Sequence, residues 1–313
     1  MMAKKSTILI MLSTYNGNKY IREQLDSLYS QKDVEIHILV RDDGSKDDTV
    51  EILKEYRQKY GKMTIYRDKN VGAAMSFHIL MKYAYNDFSN YNYYAFSDQD
   101  DVWLDNKLSV AIKMLLGKEK ALYYCNAFVT DSDLNITSVL GCESNLSIQY
   151  LLFKQPALGC TQVLTNSFFK FCVETFEEYI KHNPMFVELH DVWTMWLSNL
   201  IGVEVIVDDT PRILYRQHDN NVTFHKKENL FYKIRRVAKR AKKHRGCGYS
   251  NMQILKTVLQ DKLTPNSIEM FKRMIEYKES FIKALSFAFY MQKYFSSFAI
   301  KGMVMYRILK RLY

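Results

Sequence analysis

Thr7-Ile-Leu-Ile-Met-Leu-Ser-Thr-Tyr-Asn-Gly17 decides the fold. Its first half is an apolar run without alternation, as expected of a strand buried on both faces. Its second half turns polar at once, as a loop at the carboxyl end of such a strand does. The pattern then repeats. Ile21, Leu25 and Leu28 recur at helical spacing, Glu35–Val40 reads as a second strand, and Val50, Ile52 and Leu53 mark a second helix. Ser45 and Asp48 are expected to form a capping box for it. Met63–Tyr66, Tyr93–Phe96 and Leu122–Cys125 read as three further strands, separated by helices over Ala73–Tyr85 and after Asp105, the expected cap for Leu108, Ile112 and Leu115. Strands alternating with helices imply an α/β fold with a mainly parallel sheet flanked by helices. Ligands of such sheets bind beyond the carboxyl ends of the strands.

That rule selects Ser13–Asn18, Arg41–Asp48 and Ser97–Asp101. In Phe96-Ser-Asp-Gln-Asp-Asp-Val-Trp103, Asp98, Asp100 and Asp101 crowd directly after a strand. Carboxylates this close repel, and a hard divalent cation such as Mg²⁺ or Mn²⁺ relieves the repulsion while bridging to substrate phosphates. A solvated turn with an Asp helix cap is the plainer alternative. Asp42 and Asp43 suit a base N–H or ribose hydroxyls, and Tyr15 and Asn16 offer a ring face and an amide. Together the loops read as a site for a nucleotide, its diphosphate and a metal. Neither G-x-G-x-x-G nor G-x-x-x-x-G-K-[ST] occurs, which removes the main support for dinucleotide and P-loop readings.

The 313 residues carry a net charge of +10, unevenly placed. Residues 1–225 hold 23 Lys and Arg against 29 Asp and Glu, and residues 226–313 hold 21 against 5. An acidic body, 1–225, is therefore expected to precede a basic helical extension, 226–313. Residues 226–245, with Ile234, Val237, Ala238 and Ala241 on one face, read as a basic amphipathic helix for an anionic membrane surface. Aromatic residues from Phe281 to Phe298, with interleaved cations, support the same reading. A soluble helical subdomain is the alternative, and nucleic acid is not the expected partner, because no nucleic-acid module accompanies the charge. Five Cys without a C-x-x-C pair indicate neither a disulfide framework nor structural zinc. The run Ile8–Leu12 is too short for a signal sequence, and no apolar stretch is long enough to span a bilayer. The expected location is cytoplasmic, at the inner face of the cell membrane.

Six segments in order resemble family-2 glycosyltransferases of the GT-A fold: Leu12–Gly17, Arg41–Thr49, Asn70–Gly72, Ser97–Trp103, His190-Asp191 and Tyr215–Val222. The "SDQDDVW" and "YRQH" forms resemble bacterial rhamnosyltransferases of cell-surface polysaccharide synthesis. The resemblance implies that Asp98-Gln99-Asp100 is the D-x-D motif holding metal and sugar nucleotide, with His218 as a further ligand to metal or diphosphate. It implies that Asp42 contacts the base, that Thr14, Tyr15 and Asn16 line the nucleoside pocket, and that Asp43, Gln99, His190 and Arg216 belong to the substrate-binding set. Asp191 stands where the family places its catalytic base; His190 could tune it, contact acceptor or simply pack. Trp193 and Trp196 read as core before sugar platforms, and Leu158–Thr161 resembles the acceptor-side segment. The implied activity is inverting, metal-dependent transfer of a sugar from dTDP-rhamnose or a UDP-hexose to a hydroxyl of a growing, lipid-linked glycan. Two alternatives are a sugar-1-phosphate nucleotidyltransferase, which lacks its Gly-rich phosphate loop here, and a non-enzymatic basic nucleic-acid-binding or scaffold protein, which leaves the acidic loops unexplained.

Overall fold

A computed structural model describes residues 5–142, 147–152, 158–183, 188–218 and 247–310. The first strand, β1 (Thr7–Thr14), is followed by α1 (Ile21–Tyr29), β2 (Glu35–Asp42), α2 (Thr49–Tyr60), β3 (Met63–Arg67), α3 (Ala73–Asp87) and β4 (Tyr93–Ser97). β1, β2, β3 and β4 pair in parallel in the order β3-β2-β1-β4. β1 shows why: Ile8, Ile10 and Leu12 join one apolar cluster with α1 and α2, while Leu9 and Met11 join another with α3. Successive side chains point to opposite faces, so only a strand covered twice can be apolar throughout.

The chain continues through β5 (Val102–Trp103), α4 (Lys107–Leu115), β6 (Ala121–Thr130), β7 (Ile136–Leu140), α5 (Ile148–Leu151), β8 (Val163–Thr165), α6 (Asn166–His182), α7 (His190–Leu200) and β9 (Glu204–Arg216). Among the described residues the sheet runs β3-β2-β1-β4-β8-β6-β9-β5, with β7 attached to β6. The short β8 lies antiparallel between β4 and β6, so the fifth strand read from the sequence does not neighbour the fourth. The expected sheet flanked by helices is present, with antiparallel insertions that a periodicity reading cannot supply. α8 (Cys247–Leu259), α9 (Pro265–Glu276), α10 (Phe281–Gln292) and α11 (Phe298–Leu309) follow. Met252, Leu255, Phe271, Phe287 and Ile308 share the apolar cluster of α3 and α6. The 225/226 boundary and the basic run 226–245 lie outside the described residues, and no helix among those described is long and apolar enough to cross a membrane.

Two expected caps are corrected. α2 begins after Asp48 with no side-chain cap, because the Ser45 hydroxyl donates instead to Asp42. α4 follows Asn106, also without a side-chain cap, and Asp105 pairs with Lys32.

The strand order places the site. β1, β2 and β3 step one way, and β4 then returns to the other side of β1. Their carboxyl ends diverge at that switch and leave a crevice between the loops after β1 and β4. The register aligns those ends: Leu12 pairs with Ser97, and Thr14 with Asp42.

Candidate active site

Three loops meet at the switch and are stitched by side chains to backbone. Buried Asp42 accepts from Ser45 N at 2.9 Å, from Thr14 Oγ1 at 3.1 Å and from the Ser45 hydroxyl. Asn16 takes a left-handed conformation (φ 48°), which Asn tolerates better than most residues. Its N–H donates to Ser45 Oγ, and its Oδ1 accepts from Lys46 N, each at 2.9 Å. Gln99 clamps Tyr15 from both sides: Oε1 accepts from Tyr15 N at 2.9 Å, and Nε2 donates to Tyr15 O at 3.1 Å. The clamp passes so close to Gly17 that a Cβ there would meet Gln99 Oε1 at 2.3 Å. Asp43 accepts from Val71 N and Gly72 N at 2.9 Å and pairs with buried Arg41 at 2.6 Å.

These loops wall a cleft of about 390 Å³ lined by Tyr15, Asp43, Asp98, Gln99, Asp100 and Asp191, among others. Burial, then the charges of Asp100 and Asp191, push the Asp98 carboxyl up to about 7. Asp101 is fully buried and is likewise pushed well above the ordinary carboxylate range by burial, then by the charges of Asp100 and Asp98. Its Oδ1 accepts from Arg216 N at 3.1 Å, while Oδ2 has no hydrogen-bond partner. Potential ligand atoms of Asp98, Asp101 and Cys160 lie within 4.8 Å of one another. His218 Nε2 and Asp100 Oδ2 are 2.9 Å apart. Carboxylate oxygens facing a cleft, with an imidazole nitrogen beside them and an unpartnered carboxylate oxygen beneath, fit a hard divalent cation.

Lys107 escaped the sequence reading. It is fully buried, lies 3.0 Å from the centroid of the Trp103 ring, and donates to Cys160 O at 2.8 Å. Burial lowers its pKa to about 8, against the opposing pull of Cys125, Cys160 and the two carboxylates Asp101 and Asp98. It is an internal cation beneath the acidic loop. The only sequence signal is a lysine in the first turn of an apolar helix, where cations are disfavoured by the helix dipole.

Opposite, α7 opens with His190 and Asp191. Val192 N donates to Asp191 Oδ1 at 2.7 Å, and the Asp191 carbonyl accepts from Thr194 Oγ1 at 3.0 Å. His190 is buried, with ring-centroid distances of 3.8 Å to Phe77 and 4.3 Å to Phe96, and neither ring nitrogen has a hydrogen-bond partner. Desolvation, then the neighbouring His78, hold it well below the ordinary histidine pKa. Gly159 makes room for it: a Cβ there would lie 2.3 Å from His190 Nε2.

Of the expected site residues, Thr14, Tyr15, Asp43, Asp98, Gln99, Asp100, His190 and Asp191 line the cleft. Asp42 and Asn16 brace its loops, and Asp42 is buried under them. Arg216 is buried as well. It pairs with Glu23, donates to Asp100 O at 2.9 Å and lies 4.3 Å from the Tyr20 ring centroid. Residues 219–222 of the last matched segment lie outside the described residues. Trp193 and Trp196 are core, their indole N–H groups donating to Cys172 O and Leu151 O.

The family description "Glycosyl transferase family 2" matches residues 9–171. A dTDP-rhamnosyl transferase, RfbG of Shigella flexneri, is 32% identical over 216 residues, covering 67% of this chain and 72% of that protein. A UDP-Glc:alpha-D-GlcNAc-diphosphoundecaprenol beta-1,3-glucosyltransferase, WfgD of Escherichia coli, is 28% identical over 160 residues, covering 50% of this chain and 59% of that protein. Among solved structures, S. aureus TarS 1-349 in complex with UDP-GlcNAc superposes with a TM-score of 0.54 at 16% identity, covering 98% of this chain and 88% of that one. The mannosyltransferase PcManGT from Pyrobaculum calidifontis, with GDP-Man and Mn²⁺, gives 0.51 at 14% identity, covering 98% and 80%. Both share the fold.

Two predictions test this geometry. The folded Asp98 carboxyl keeps its proton up to about 7, whereas an unfolded Asp releases it near about 4. The stability this contributes is full below the unfolded value and is lost as pH rises through the folded one. Melting temperature in EDTA should therefore fall from pH 5 to pH 8, and Asp98→Asn should flatten that fall. Lys107→Met leaves the Cys160 carbonyl without its donor and the carboxylates without their internal cation. It should destabilise the fold by about 1–3 kcal/mol in urea unfolding.

Proposed function

The chain belongs to glycosyl transferase family 2, and on that footing we propose an inverting, divalent-metal-dependent transfer from a nucleotide-diphosphate sugar to a glycan hydroxyl. One observation carries the reading: Asp191 and the Asp98–Asp100 pair share one cleft with an exposed tyrosine ring and the Gly72 turn. Tyr15 offers its face to the base, and the stitched loops around Asp43 hold the ribose and diphosphate end. Asp98 and Asp100, with His218 beside them, would hold Mg²⁺ or Mn²⁺, which when bound neutralises charge on a departing diphosphate. Asp191 removes the proton of the acceptor hydroxyl as the new glycosidic bond forms, since a neutral hydroxyl is a poor nucleophile. The nucleoside diphosphate leaves from the opposite face, so a single displacement inverts the anomeric centre. His190, neutral in its apolar slot, offers one donor and one acceptor nitrogen to sugar hydroxyls.

Relatives named for dTDP-rhamnosyl and UDP-glucosyl transfer support dTDP-rhamnose or a UDP-hexose as donor. The second of those names carries a diphosphoundecaprenol acceptor, which supports a lipid-linked, cell-surface glycan here and action at the cytoplasmic face of a membrane.

Asp191→Asn should lower turnover by at least about 100-fold while calorimetric binding of the nucleotide sugar stays close to wild type. Normal turnover in that variant would remove Asp191 as the base. Asp100→Ala and EDTA treatment should each abolish turnover, and added Mn²⁺ should restore it only in the EDTA-treated wild type. His190→Phe keeps the ring packing but removes both unpartnered nitrogens. It should leave the melting temperature unchanged or raised, yet lower kcat/KM by about tenfold.

A further inference from the structure

The last two helices expose apolar side chains that the core does not use. On α10, Ile282, Ser286, Phe289 and Lys293 recur four, three and four residues apart and are all exposed, whereas Ala284, Phe287, Ala288 and Met291 face the core. On α11, Phe298, Gly302, Tyr306 and Lys310 recur at four-residue spacing and are exposed, while Val304 and Ile308 are buried. Each helix thus has an inner and an outer stripe at helical period. The outer exposures are high: 91% for Phe298, 78% for Ile282, 64% for Phe281 and 60% for Phe289. The two helices pack against each other across the short 293–297 connection.

Charge chooses the occupant. From 281 to 310 the chain has Lys283, Lys293, Lys301, Arg307 and Lys310 and no Asp or Glu. Lys283 is held by Glu279 at 2.6 Å, but Lys293 and Lys310 end the two exposed stripes, and Lys301 flanks the second. A second copy of this surface would bring like charges together, which opposes self-association. Single-stranded nucleic acid is read by ring faces, and the branched aliphatic Ile282 offers none. Exposed Phe and Ile with Lys at the stripe ends fit the headgroup boundary of an anionic bilayer, where apolar tips enter the acyl edge and ammonium groups meet lipid phosphate.

We propose that the α10–α11 pair docks on an anionic lipid surface, inserting Ile282, Phe289 and Phe298 and setting Lys293, Lys301 and Lys310 among the headgroups. This surface lies on helices anchored in the same apolar core as the cleft.

Co-sedimentation of the full chain with vesicles tests it, using phosphatidylglycerol in phosphatidylcholine against phosphatidylcholine alone. Wild type should pellet with the anionic vesicles and weaken as salt is raised. The triple variant Ile282→Ser, Phe289→Ser, Phe298→Ser should lose at least about tenfold in vesicle affinity with unchanged circular-dichroism melting. If the triple variant does not fold, Phe298→Ser alone should still weaken binding. Unchanged binding in a folded variant overturns the proposal. So does binding lost only when the Lys and Arg of 226–245 are replaced by Gln. Concentration-dependent dimerisation abolished by the triple variant, or RNA binding in place of vesicle binding, also overturns it. The assay contains no sugar nucleotide, so its outcome is independent of whether the cleft transfers sugar.

Discussion

Asp42 is the constraint on which the site depends. Its carboxylate is buried at the end of β2 and accepts from the end of β1 and from two groups of Ser45. A carboxylate so enclosed must be fully hydrogen-bonded, because burying it otherwise costs several kcal/mol, roughly 1–3 per unmet bond and more for a charge. Meeting that demand fixes Ser45, and Ser45 in turn accepts from Asn16. Asn16 positions Tyr15, which Gln99 clamps from the acidic loop. One buried acid thereby sets the distance between the loop after β1 and the acidic loop.

The acidic loop is built on the opposite principle. Burial and the nearby charge of Asp100 raise the proton affinity of Asp98 and Asp101, and Lys107 lies beneath them as an internal cation. The cluster is held by backbone and neighbours: Arg216 N on Asp101, Arg216 Nε on the Asp100 carbonyl, and His218 on the Asp100 carboxylate. This keeps the carboxylate oxygens together although their charges repel. It also explains Arg216: its charge steadies the loop from behind, away from the cleft.

Legibility in the sequence followed the range of the interactions. The strands and helices through Cys125 were readable because periodicity is local, and Asp98, Asp100 and Asp191 were readable because their neighbours in the chain carry a family pattern. The two expected caps failed because Ser45 and Asp105 had stronger partners elsewhere, Asp42 and Lys32. Lys107 was missed because its carboxylate neighbours reach it through folding and its hydrogen-bond partner, Cys160 O, lies fifty-three residues away. Antiparallel β8 was missed because three residues carry no measurable period. The aromatics near the C-terminus read as one group; the fold divides them into buried Phe287 and Phe295 and exposed Phe281, Phe289 and Phe298.

The amino-acid sequence by itself determined the α/β class, the three polar loops at strand ends, the glycosyltransferase family and the uneven charge. All of these are recorded in residues close together in the chain or in a family's ordered segments. Only the tertiary structure decided that Asp42 and Arg216 brace the cleft while Asp43 lines it, that His190 sits over Gly159 with both nitrogens unpartnered, and that α10 and α11 each turn some of their apolar side chains outward. The physical reason is that a side chain's role depends on what surrounds it. Burial, hydrogen-bond partners and nearby charge are supplied by segments distant in sequence, and they exist only once the sheet has closed its helices around it.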